Sequence, residues 1–417
     1  MQFQSYLEQL QQQDQYRQLR EVKTARKQRL YRDGQAWINF TSNDYLGLGQ
    51  RSIKMDELER AIQKYGAHLG SSRLVSGHST LYAEIEQDIS EAYGFEGSLL
   101  LGSGYEANLA VFHMFKKQDV VVFSDALNHA SIIDGIQLAR VKKVVFPHLD
   151  YARLKMEMAK YPHQLKVIVT DTIFSTNGHM ADLHQLRRLK SEFPGTLLVV
   201  DDAHGFGLGY GTGYENIDIV TTSLSKAMGA HGGLILCSYV IREMLINTAR
   251  PLIYSNCLPT MNLFLIQEQF RALQNADFER RQLHQNIQYF NNMNENTEHT
   301  LTSIKTVTYE NVHTAKAMHS QLLDSGFCVS LFRPPTVATP ALRMSLSAFH
   351  EQEDIMRLHT ILKKRRHPSC IVLKCVLQKI TNISVAQRRF VKRRILNKSS
   401  PHIFIKASNM KMETLIF

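Results

Sequence analysis

Two short apolar runs in the middle of the chain each end in polar residues that can do chemistry. Leu197–Val200 runs into Asp201-Asp202-Ala203-His204, and Ile217–Thr222 runs into Ser223-Leu224-Ser225-Lys226. Short apolar runs of this kind are typical of strands that are buried on both faces of a parallel sheet. Because open α/β sheets bind their ligands at the carboxyl ends of the strands, the two acids, the histidine and the lysine are predicted to share one site.

This combination of side chains suits pyridoxal phosphate chemistry. The cofactor needs a lysine amine for a Schiff base, a carboxylate beside its ring nitrogen, donors to its phenolate oxygen and hydroxyls for its phosphate. Lys226, Asp201, His204 and Ser223 are candidates for these roles, in that order. Taken one at a time, the same residues also fit strand-end caps, a hydrogen-bonded loop histidine and an exposed lysine.

A glycine-rich turn adds a candidate phosphate site. Leu99–Leu101 runs into GSGYEAN (102–108), which opens a predicted helix. The backbone N–H groups near Gly104 and Tyr105 would then meet the positive end of that helix, an arrangement that binds phosphate. A strand-to-helix turn without a ligand has the same pattern, and the sequence leaves that alternative open.

Ten segments between Asn39 and His350 carry a wider pattern. In chain order they are NFTSNDYLGLG (39–49), GSSRLVSGHST (70–80), GSGYEAN (102–108), NHASIIDG (128–135), TDTIFSTNGHMADL (170–183), VVDDAHGFG (199–207), SLSKAMGAHGG (223–233), RPLIYSN (250–256), FRPPTV (332–337) and ALRMSLSAFH (341–350). Together they resemble the α-oxoamine synthases, pyridoxal phosphate enzymes that condense an amino acid with an acyl thioester. The resemblance implies a homodimeric fold-type I transferase. Such an α/β fold has a large domain with a mostly parallel sheet between helices, and a smaller α+β C-terminal domain.

The resemblance also implies roles for single residues. Lys226, His129 and Asp201 would be catalytic, with His129 over the face of the cofactor ring. The residues that would hold the cofactor are Gly104, Tyr105, His129, Ser175, Asp201, His204, Ser223 and Lys226. Those that would bind substrate are Arg17, His129, Thr336 and Arg343, and Arg20 competes with Arg17 for its role. Arg343 would bind the carboxylate of the amino acid through its guanidinium fork.

Within the family, the segments FTSNDYLGLG, GSSRLVSGHST and RPLIYSN most resemble the branch that serves biotin biosynthesis. That branch implies a decarboxylative Claisen condensation of L-alanine with a pimeloyl thioester, carried by CoA or by acyl carrier protein. Two other branches stay open: glycine C-acetyltransferase and 5-aminolevulinate synthase, which use glycine and another thioester. A basic binding module with an incidental α/β body is the alternative from a different class.

The elements that must position these residues can be read from the alternation of apolar runs and amphipathic helices. The runs are LLL (99–101), VVVFSD (120–125), KVVFPH (143–148), KVIVTD (166–171), TLLVVDD (196–202), IDIVTT (217–222) and GLILCS (233–238). This alternation predicts a largely parallel sheet with helices on both faces. Two further helices between residues 55 and 94 are predicted to flank the loop GSSRLVSGHST.

Four parts of the chain are predicted: an N-terminal arm (1–50), a cofactor-binding large domain (51–260), a small C-terminal domain (261–364) and a basic tail (365–417). Residues 1–33 are predicted as a helical arm rich in Gln and Arg, with Tyr6, Leu7 and Leu10 at helical spacing. The small domain is predicted as the strand SIKTVTY, the helix ENVHTAKAMHSQLLDSG, the strand FCVSLF, the loop RPPTV, the strand ALRMSLS and the helix EQEDIMRLHTILKK.

The net charge of +11 is concentrated at the C-terminus. Lys363–Phe417 carries 14 Lys and Arg and one acid, a net of +13, so the other 362 residues carry −2. The tail is therefore predicted to be a segment outside the working enzyme, such as an altered reading frame, with binding to an anionic surface as the alternative. The nearly neutral body is not expected to bind nucleic acid.

Composition and cysteine usage predict a cytoplasmic enzyme. The 417 residues are 44% hydrophobic and 21% charged, and the five cysteines lack CxxC spacing, so reduced thiols are expected rather than disulfides or a metal site. The N-terminus MQFQSYLEQLQQQDQ has no apolar signal region, and no run approaches the ~18 apolar residues of a membrane span. The motifs GxGxxG, GxSxG, HExxH and the phosphate-loop motif GxxxxGK are absent, which argues against nicotinamide, serine-hydrolase, zinc-peptidase and phosphate-loop chemistry.

Overall fold

The structure is a computed structural model that describes residues 2–26, 28–32, 34–210, 213–293 and 300–363. The chain divides into two units, Met1–Leu358 and His359–Phe417. The basic tail predicted from residue 365 onward lies outside the described residues.

In the described ranges the strands, in chain order, are β1 (Thr24–Arg26), β2 (Arg29–Arg32), β3 (Gln35–Asn39), β4 (Gly97–Leu101), β5 (Val120–Asp125), β6 (Lys142–Phe146), β7 (Leu165–Asp171), β8 (Thr196–Asp201), β9 (Ile219–Ser223), β10 (Gly233–Cys237), β11 (Ile304–Thr308), β12 (Phe327–Cys328), β13 (Ser330–Phe332) and β14 (Ala341–Ser345).

The helices in the same ranges are α1 (Gln2–Gln12), α2 (Met55–Tyr65), α3 (Thr80–Tyr93), α4 (Gly104–His113), α5 (Ala130–Ala139), α6 (Tyr151–Met158), α7 (Leu183–Glu192), α8 (Tyr239–Thr248), α9 (Arg250–Ile253), α10 (Thr260–Gln274), α11 (Asp277–Asn292), α12 (Val312–Asp324) and α13 (Gln352–Lys363). None of them is both long enough and apolar enough to cross a lipid bilayer.

The central sheet has the strand order β4-β10-β9-β8-β7-β5-β6. Neighbouring strands from β9 to β6 run parallel, whereas β10 is antiparallel to both of its neighbours. The predicted mostly parallel sheet between helices is therefore confirmed, with β10 as the one reversed strand of this sheet. Two smaller sheets have the orders β1-β2-β3-β12 and β11-β14-β13.

The core of the central sheet follows from the all-apolar strands predicted from the sequence. In β4, β5 and β10 every residue is buried, because helices cover both faces. On one face, side chains such as Val122, Val169 and Ile219 pack with Phe112 of α4 and Ile136 of α5 in one apolar cluster. This packing fixes the strands, and with them the polar residues that follow their carboxyl ends.

The N-terminal arm differs from its prediction as a helix through residue 33. The helix α1 ends at Gln12, and Thr24–Arg26 and Arg29–Arg32 are strands that pair with each other. The second of them also pairs with β3. A run rich in Gln and Arg carries little local preference for a strand, so this pairing is a tertiary effect that the sequence pattern does not contain. Tyr6 and Leu7, at helical spacing, remain exposed on α1.

The predicted strand FCVSLF is two strands that belong to different sheets. Phe327 and Cys328 pair in parallel with β3, whereas Ser330–Phe332 pairs with β14. The other predicted elements of residues 303–363 are observed as β11, α12, β14 and α13. The three cysteines in the described ranges, Cys237, Cys257 and Cys328, are free thiols.

Candidate active site

The carboxyl ends of three neighbouring strands bring the predicted acids and lysine together. Asp201 ends β8, and its register partners are Asp171 at the end of β7 and Thr221 in β9. Lys226 follows in the turn between β9 and β10. Parallel strands therefore deliver these side chains to one edge of the sheet, as the sequence predicts.

Lys226 is half-buried in this edge. Burial lowers the pKa of its amine to about 8, although the charges of Asp201 and Asp171 raise it. A substantial fraction of such an amine is neutral near pH 8, so it can act as a nucleophile and as a base. The charge of Arg343 also lowers the pKa of Lys226, which places the two cations in the same region.

Asp201 is buried and held from two sides. Asn108 Nδ2 donates to Asp201 Oδ2 at 2.6 Å, and the backbone N–H of Ala203 donates to Oδ1 at 3.0 Å. These two hydrogen bonds fix the plane of the carboxylate in a region from which most water is excluded. An acid held in this way is suited to pair with a buried cationic ring nitrogen.

His129 stands at the start of α5. Its backbone N–H donates to Asp171 Oδ2 at 2.8 Å, and its Nδ1 lies 2.7 Å from Ser131 Oγ. Desolvation lowers the pKa of His129, whereas the charge of Asp201 raises it. Asp171 itself has a pKa well above the usual range because it is buried and lies near Asp201.

The second acid of the pair, Asp202, has a different environment. It is fully buried, Thr172 Oγ1 donates to one of its oxygens and the hydroxyl of Tyr214 donates to the other. Burial raises its pKa to about 6. Both oxygens of Asp202 are therefore engaged with the protein, and Asp201 is the better candidate to face a cofactor ring.

The glycine-rich turn meets the end of β9. A Cβ at Gly104 would lie 2.9 Å from the Cβ of Ser223, so only glycine allows this approach. Ser103 caps α4 by accepting from the N–H of Glu106 at 3.2 Å, and Ser223 Oγ lies 2.8 Å from Ser225 Oγ. The N-terminus of α4 and two hydroxyls thus stand side by side, which fits a phosphate group.

Tyr105 has a side chain that points to another helix. It follows Gly104 in the first turn of α4, and its hydroxyl donates to Asp134 of α5. Its ring is 43% exposed, so only the backbone N–H belongs to the predicted phosphate turn.

His204 belongs to a buried network with the predicted carboxylate-binding arginine. Its Nδ1 lies 2.6 Å from the hydroxyl of Tyr45, and that hydroxyl lies 3.5 Å from Arg343 Nη2. Arg343 Nη2 also donates to Asn43 Oδ1 at 3.0 Å. Burial lowers the pKa of His204 well below its usual value and raises the pKa of Tyr45 to about 12, so both are neutral at physiological pH.

Ser175 lies on the loop after β7, where it is half-buried. The loop is closed by the N–H of Phe174 donating to the carbonyl of His179 at 2.9 Å. It is tied to β11, because Thr306 Oγ1 donates to the carbonyl of Thr176 at 2.9 Å. Thr306 is the register partner of Arg343, so the loop that carries Ser175 and the strand that carries Arg343 are connected through β11.

The two predicted residues for the acyl substrate contact each other. Arg17 Nη2 donates to Thr336 Oγ1 at 3.3 Å, although the residues are 319 positions apart. The competing Arg20 lies near His319: burial lowers the pKa of that histidine, and the charge of Arg20 lowers it further. Arg17 and Thr336 are both exposed.

Four residues of this site have no role in the sequence prediction: Asn43, Tyr45, Asn108 and Ser131. Asn43 and Tyr45 are within SNDYLGLG, and Asn108 ends GSGYEAN. Their residue types are common in loops and helices, and only the fold brings them to the predicted acids and arginine. Ser131 is within NHASIIDG, so the sequence signal available for all four was their position inside a recognised segment.

The residues present fit pyridoxal phosphate. Any Cβ at Gly104 would fill the space at the N-terminus of α4. The hydroxyls of Ser223 and Ser225 lie next to this space. A lysine with a lowered pKa and a fixed carboxylate, Asp201, complete the set of groups that the cofactor needs. Among the described residues, no cluster of three or more His, Cys, Asp or Glu is placed to hold a metal ion.

The sequence of the chain is similar to a known protein family and to named relatives. Residues 35–362 match the family described as aminotransferase class I and II. A protein named putative 8-amino-7-oxononanoate synthase, from Thermodesulfovibrio yellowstonii, is 36% identical over 372 residues, which cover 85% of this chain and 95% of the relative.

Solved structures of two related proteins have a similar fold. The 8-amino-7-oxononanoate synthase of Francisella tularensis is similar with a TM-score of 0.69 and 29% identity, covering 79% of this chain and 97% of that one. A serine palmitoyltransferase from S. paucimobilis with bound pyridoxal phosphate and myriocin has a TM-score of 0.78 at 24% identity, covering 86% of this chain and 95% of that one. At that identity the second similarity shows the fold alone.

Proposed function

The chain belongs to the aminotransferase class I and II family, and on that premise we propose that it condenses L-alanine with a pimeloyl thioester. The products of this reaction are 8-amino-7-oxononanoate, CO₂ and the free thiol of CoA or acyl carrier protein. The family, the named relatives and the fold make the protein a pyridoxal phosphate-dependent acyltransferase. The choice of amino acid and acyl group is our proposal.

The proposal that the enzyme binds an amino acid is supported by the burial and the hydrogen bonding of Arg343. Its side chain is buried, Nη2 reaches Asn43 Oδ1, and Nε has no hydrogen-bond partner among the residues that the structure describes. A buried donor without a partner is costly, and a carboxylate is the group that a guanidinium binds best. The α-carboxylate of an amino acid bound at Arg343 would lie in the same region as Lys226, whose pKa responds to the charge of Arg343.

Pyridoxal phosphate, when bound, supplies an electron sink for the charge that develops at the α-carbon of the amino acid. In our proposal Lys226 anchors the cofactor and then, as a free amine with a pKa of about 8, removes the proton from that carbon. Asp201 would hold a proton on the ring nitrogen. His204 would donate to the phenolate oxygen, with Ser175 as a second donor.

The acyl half of the proposal rests on Arg17 and Thr336. A pimeloyl chain ends in a second carboxylate, whereas an acetyl chain does not. An arginine that reaches the exposed Thr336 Oγ1 at 3.3 Å is available to bind that distant carboxylate. The same residue would also suit a succinyl chain, so the acyl chain length must be tested directly.

We also infer that the active form is a homodimer. Large apolar side chains are exposed in the single chain on two neighbouring segments: Val75, at 82%, in the turn 73–77, and Tyr254, at 71%, directly after α9. Exposed apolar groups of this size favour an interface. Sedimentation equilibrium should give twice the mass of one chain, and a monomer with full activity would contradict the inference.

The experiment that tests the reaction compares substrate pairs. The purified enzyme with cofactor would be given L-alanine, glycine or L-serine, each with pimeloyl-CoA, succinyl-CoA, acetyl-CoA or palmitoyl-CoA. Thiol release gives kcat/KM for each pair, and mass spectrometry identifies the product. We expect L-alanine with pimeloyl-CoA to have the highest kcat/KM.

The comparison between L-alanine and glycine must measure turnover, because binding alone does not distinguish them. One methyl group in an apolar site is worth only about 1–3 kcal/mol, so glycine can bind where alanine does. A higher kcat/KM for glycine with succinyl-CoA or acetyl-CoA would overturn the proposed substrates and leave the cofactor chemistry in place. A preference for L-serine with palmitoyl-CoA would instead indicate a serine palmitoyltransferase activity, the activity in the name of one structural neighbour.

A further inference from the structure

The side chain of Asn108 contacts both Asp201 and Ser131, the hydrogen-bond partner of His129. It lies on α4, is 2% exposed, and is not a group that a cofactor or substrate must touch. Its Nδ2 donates to Asp201 Oδ2 at 2.6 Å and to Ser131 Oγ at 2.9 Å. Its Oδ1 accepts from Thr221 Oγ1 at 2.7 Å.

We propose that Asn108 is a positioning residue that sets, through two hydrogen bonds from one amide nitrogen, both the orientation of the Asp201 carboxylate and the tautomer of His129. The proposal rests on the proposed function only for the roles of Asp201 and His129. The hydrogen bonds themselves are independent of the substrate.

The orientation of the amide is fixed by its partners. A carboxylate only accepts hydrogen bonds, so the nitrogen of Asn108 must face Asp201. The oxygen then faces the hydroxyl of Thr221, which can donate to it. If the amide were rotated by 180°, Asn108 Oδ1 would face Asp201 Oδ2. Two buried acceptors without a proton between them repel each other, which is strongly unfavourable.

The amide in turn directs the hydroxyl of Ser131. Because Asn108 Nδ2 is only a donor, Ser131 Oγ must accept from it, and its own proton is left for His129 Nδ1 at 2.7 Å. The backbone N–H of Ser131 also donates to His129 Nδ1, at 3.3 Å. Two donors face Nδ1, so this nitrogen is the acceptor and the neutral imidazole carries its proton on Nε2.

The close packing of α4 and α5 makes this relay feasible. A Cβ at Gly135 of α5 would lie 2.8 Å from Phe112 Cδ2 and 3.1 Å from the carbonyl oxygen of Asn108. Glycine at this position lets the first turn of α5, with Ser131, come within hydrogen-bond distance of α4. Asn108 thus connects the end of β8, the start of α5 and the strand β9.

The test compares variants that separate shape from hydrogen bonding. Asn108→Asp keeps the size of the side chain and the acceptor for Thr221, but it replaces the donor that faces Asp201 with a second carboxyl group. Asn108→Ala removes all three hydrogen bonds. Ser131→Ala removes the hydroxyl that joins Asn108 to His129, with both of its hydrogen bonds, and leaves the bond between Asn108 and Asp201. A purely structural role for Asn108 predicts that the Asp variant resembles the unmodified enzyme more than the Ala variant does.

Three readouts on the holoenzyme decide the question. The first is the tautomer of His129, read by solid-state NMR of protein labelled with ¹⁵N-histidine and assigned with His129→Gln. The second is the Kd for pyridoxal phosphate, and the third is kcat and KM for the amino acid substrate. We expect kcat to fall about tenfold to a hundredfold in both Asn108 variants with little change in KM. We also expect weaker cofactor binding and a mixed His129 tautomer.

Ser131→Ala should shift His129 to a mixture of tautomers, because only the backbone N–H of residue 131, at 3.3 Å, then faces Nδ1. The Kd for pyridoxal phosphate should stay within about twofold of the unmodified enzyme. An unchanged tautomer in Ser131→Ala, or unmodified kcat and Kd in a folded Asn108→Asp, would overturn the proposal. If the Asn108 variants do not fold, the tautomer in Ser131→Ala still decides it. The tautomer and Kd readouts need no acyl substrate, so a failure of the proposed reaction would be recognised separately.

Discussion

The hydroxyl of Tyr45 lies 2.6 Å from Nδ1 of His204, and both side chains are buried. Burial raises the pKa of Tyr45 to about 12, so it keeps its proton, and burial lowers the pKa of His204 well below its usual value. The Tyr45 hydroxyl faces two acceptors, Asn43 Oδ1 at 3.2 Å and His204 Nδ1 at 2.6 Å, and the shorter distance favours donation to Nδ1. The proton of the neutral imidazole is then on Nε2. His204 is thereby prepared to donate from Nε2.

Tyr45→Phe should therefore reduce turnover with little loss of folding. Without the hydroxyl, His204 loses the donor that fixes its tautomer, and we expect kcat to fall about tenfold or more. A buried Nδ1 left without a partner costs about 1–3 kcal/mol of stability, which thermal unfolding would show. Tyr151→Phe is the control, because the Tyr151 hydroxyl accepts from the N–H of Asp182 at the start of α7. An unchanged kcat in Tyr45→Phe would remove Tyr45 from the chemistry.

Lys226 is expected to be the residue that bonds to the cofactor. Its lowered pKa, about 8, supplies the neutral amine that the bond requires. Borohydride should reduce this bond, and peptide mapping should then find the cofactor on the peptide that contains Lys226. Lys305 is a demanding control, because burial lowers its pKa to about 7 as well. Labelling of Lys305, or of no lysine, would contradict the assignment.

Asp201→Asn should leave the fold intact and remove most of the turnover. The amide keeps the size of the side chain but cannot hold a proton on a ring nitrogen, so we expect kcat to fall by at least about a hundredfold. Asp202→Asn should have a much smaller effect on kcat, because the oxygens of Asp202 are engaged by Thr172 and Tyr214. The reverse order of kcat values in the two variants would identify Asp202 as the partner of the ring.

Asp202 should instead make stability depend on pH. Its pKa is about 6 in the fold against 3.8 for the free side chain, so the folded state binds more protons between these values. Its contribution to stability is present below pH 3.8 and is lost as the pH rises through about 6, by up to about 3 kcal/mol. Relative to the unmodified enzyme, Asp202→Asn should gain stability between pH 4.5 and pH 7.5. Chemical denaturation at both pH values measures this, and a constant difference would contradict it.

Arg17→Ala should raise KM for the pimeloyl thioester and leave KM for the amino acid unchanged. Loss of a guanidinium–carboxylate contact is worth about 1–3 kcal/mol, which corresponds to about a tenfold to a hundredfold rise. Arg20→Ala is the matched control, since Arg20 lies near His319 and not at Thr336. A larger effect of Arg20→Ala on this KM would transfer the role to Arg20.

The central sheet and its strand-end residues could be predicted because their signals are local. All-apolar runs such as Leu197–Val200 have few alternatives to a doubly covered strand, and the acids and lysine that follow them must then lie at one edge. The strands β1 and β2 could not be predicted, because their residues have no period of two and depend on the pairing of β1 with β2 and of β2 with β3. The division of residues 327–332 between two sheets likewise depends on tertiary pairing.

The supporting hydrogen bonds of the site are also beyond sequence reasoning. Tyr45 and His204 are 159 positions apart, and Asn108 and Asp201 are 93 positions apart. Whether such pairs meet depends on strand register and on how closely α4 approaches α5, which Gly135 decides. A side chain such as Asn108 has many structural uses, and only its partners distinguish this one.

The pairing of the N-terminal region with β12 and β14 has a consequence for the order in which the protein folds on the ribosome. The N–H of Ser345 donates to the carbonyl of Phe40, and Arg343 is 300 positions after Asn43. Translation at about 5–20 residues per second separates the two halves of this arrangement by roughly 15–60 s. The strands β4 to β10 come from one continuous stretch, so the edge that carries Asp201 and Lys226 can form first. In the nascent chain the edge of β3 that pairs with β12, and the carbonyl of Phe40 that accepts from Ser345, therefore wait for their partners until the C-terminal strands emerge, although β3 can already pair with β2.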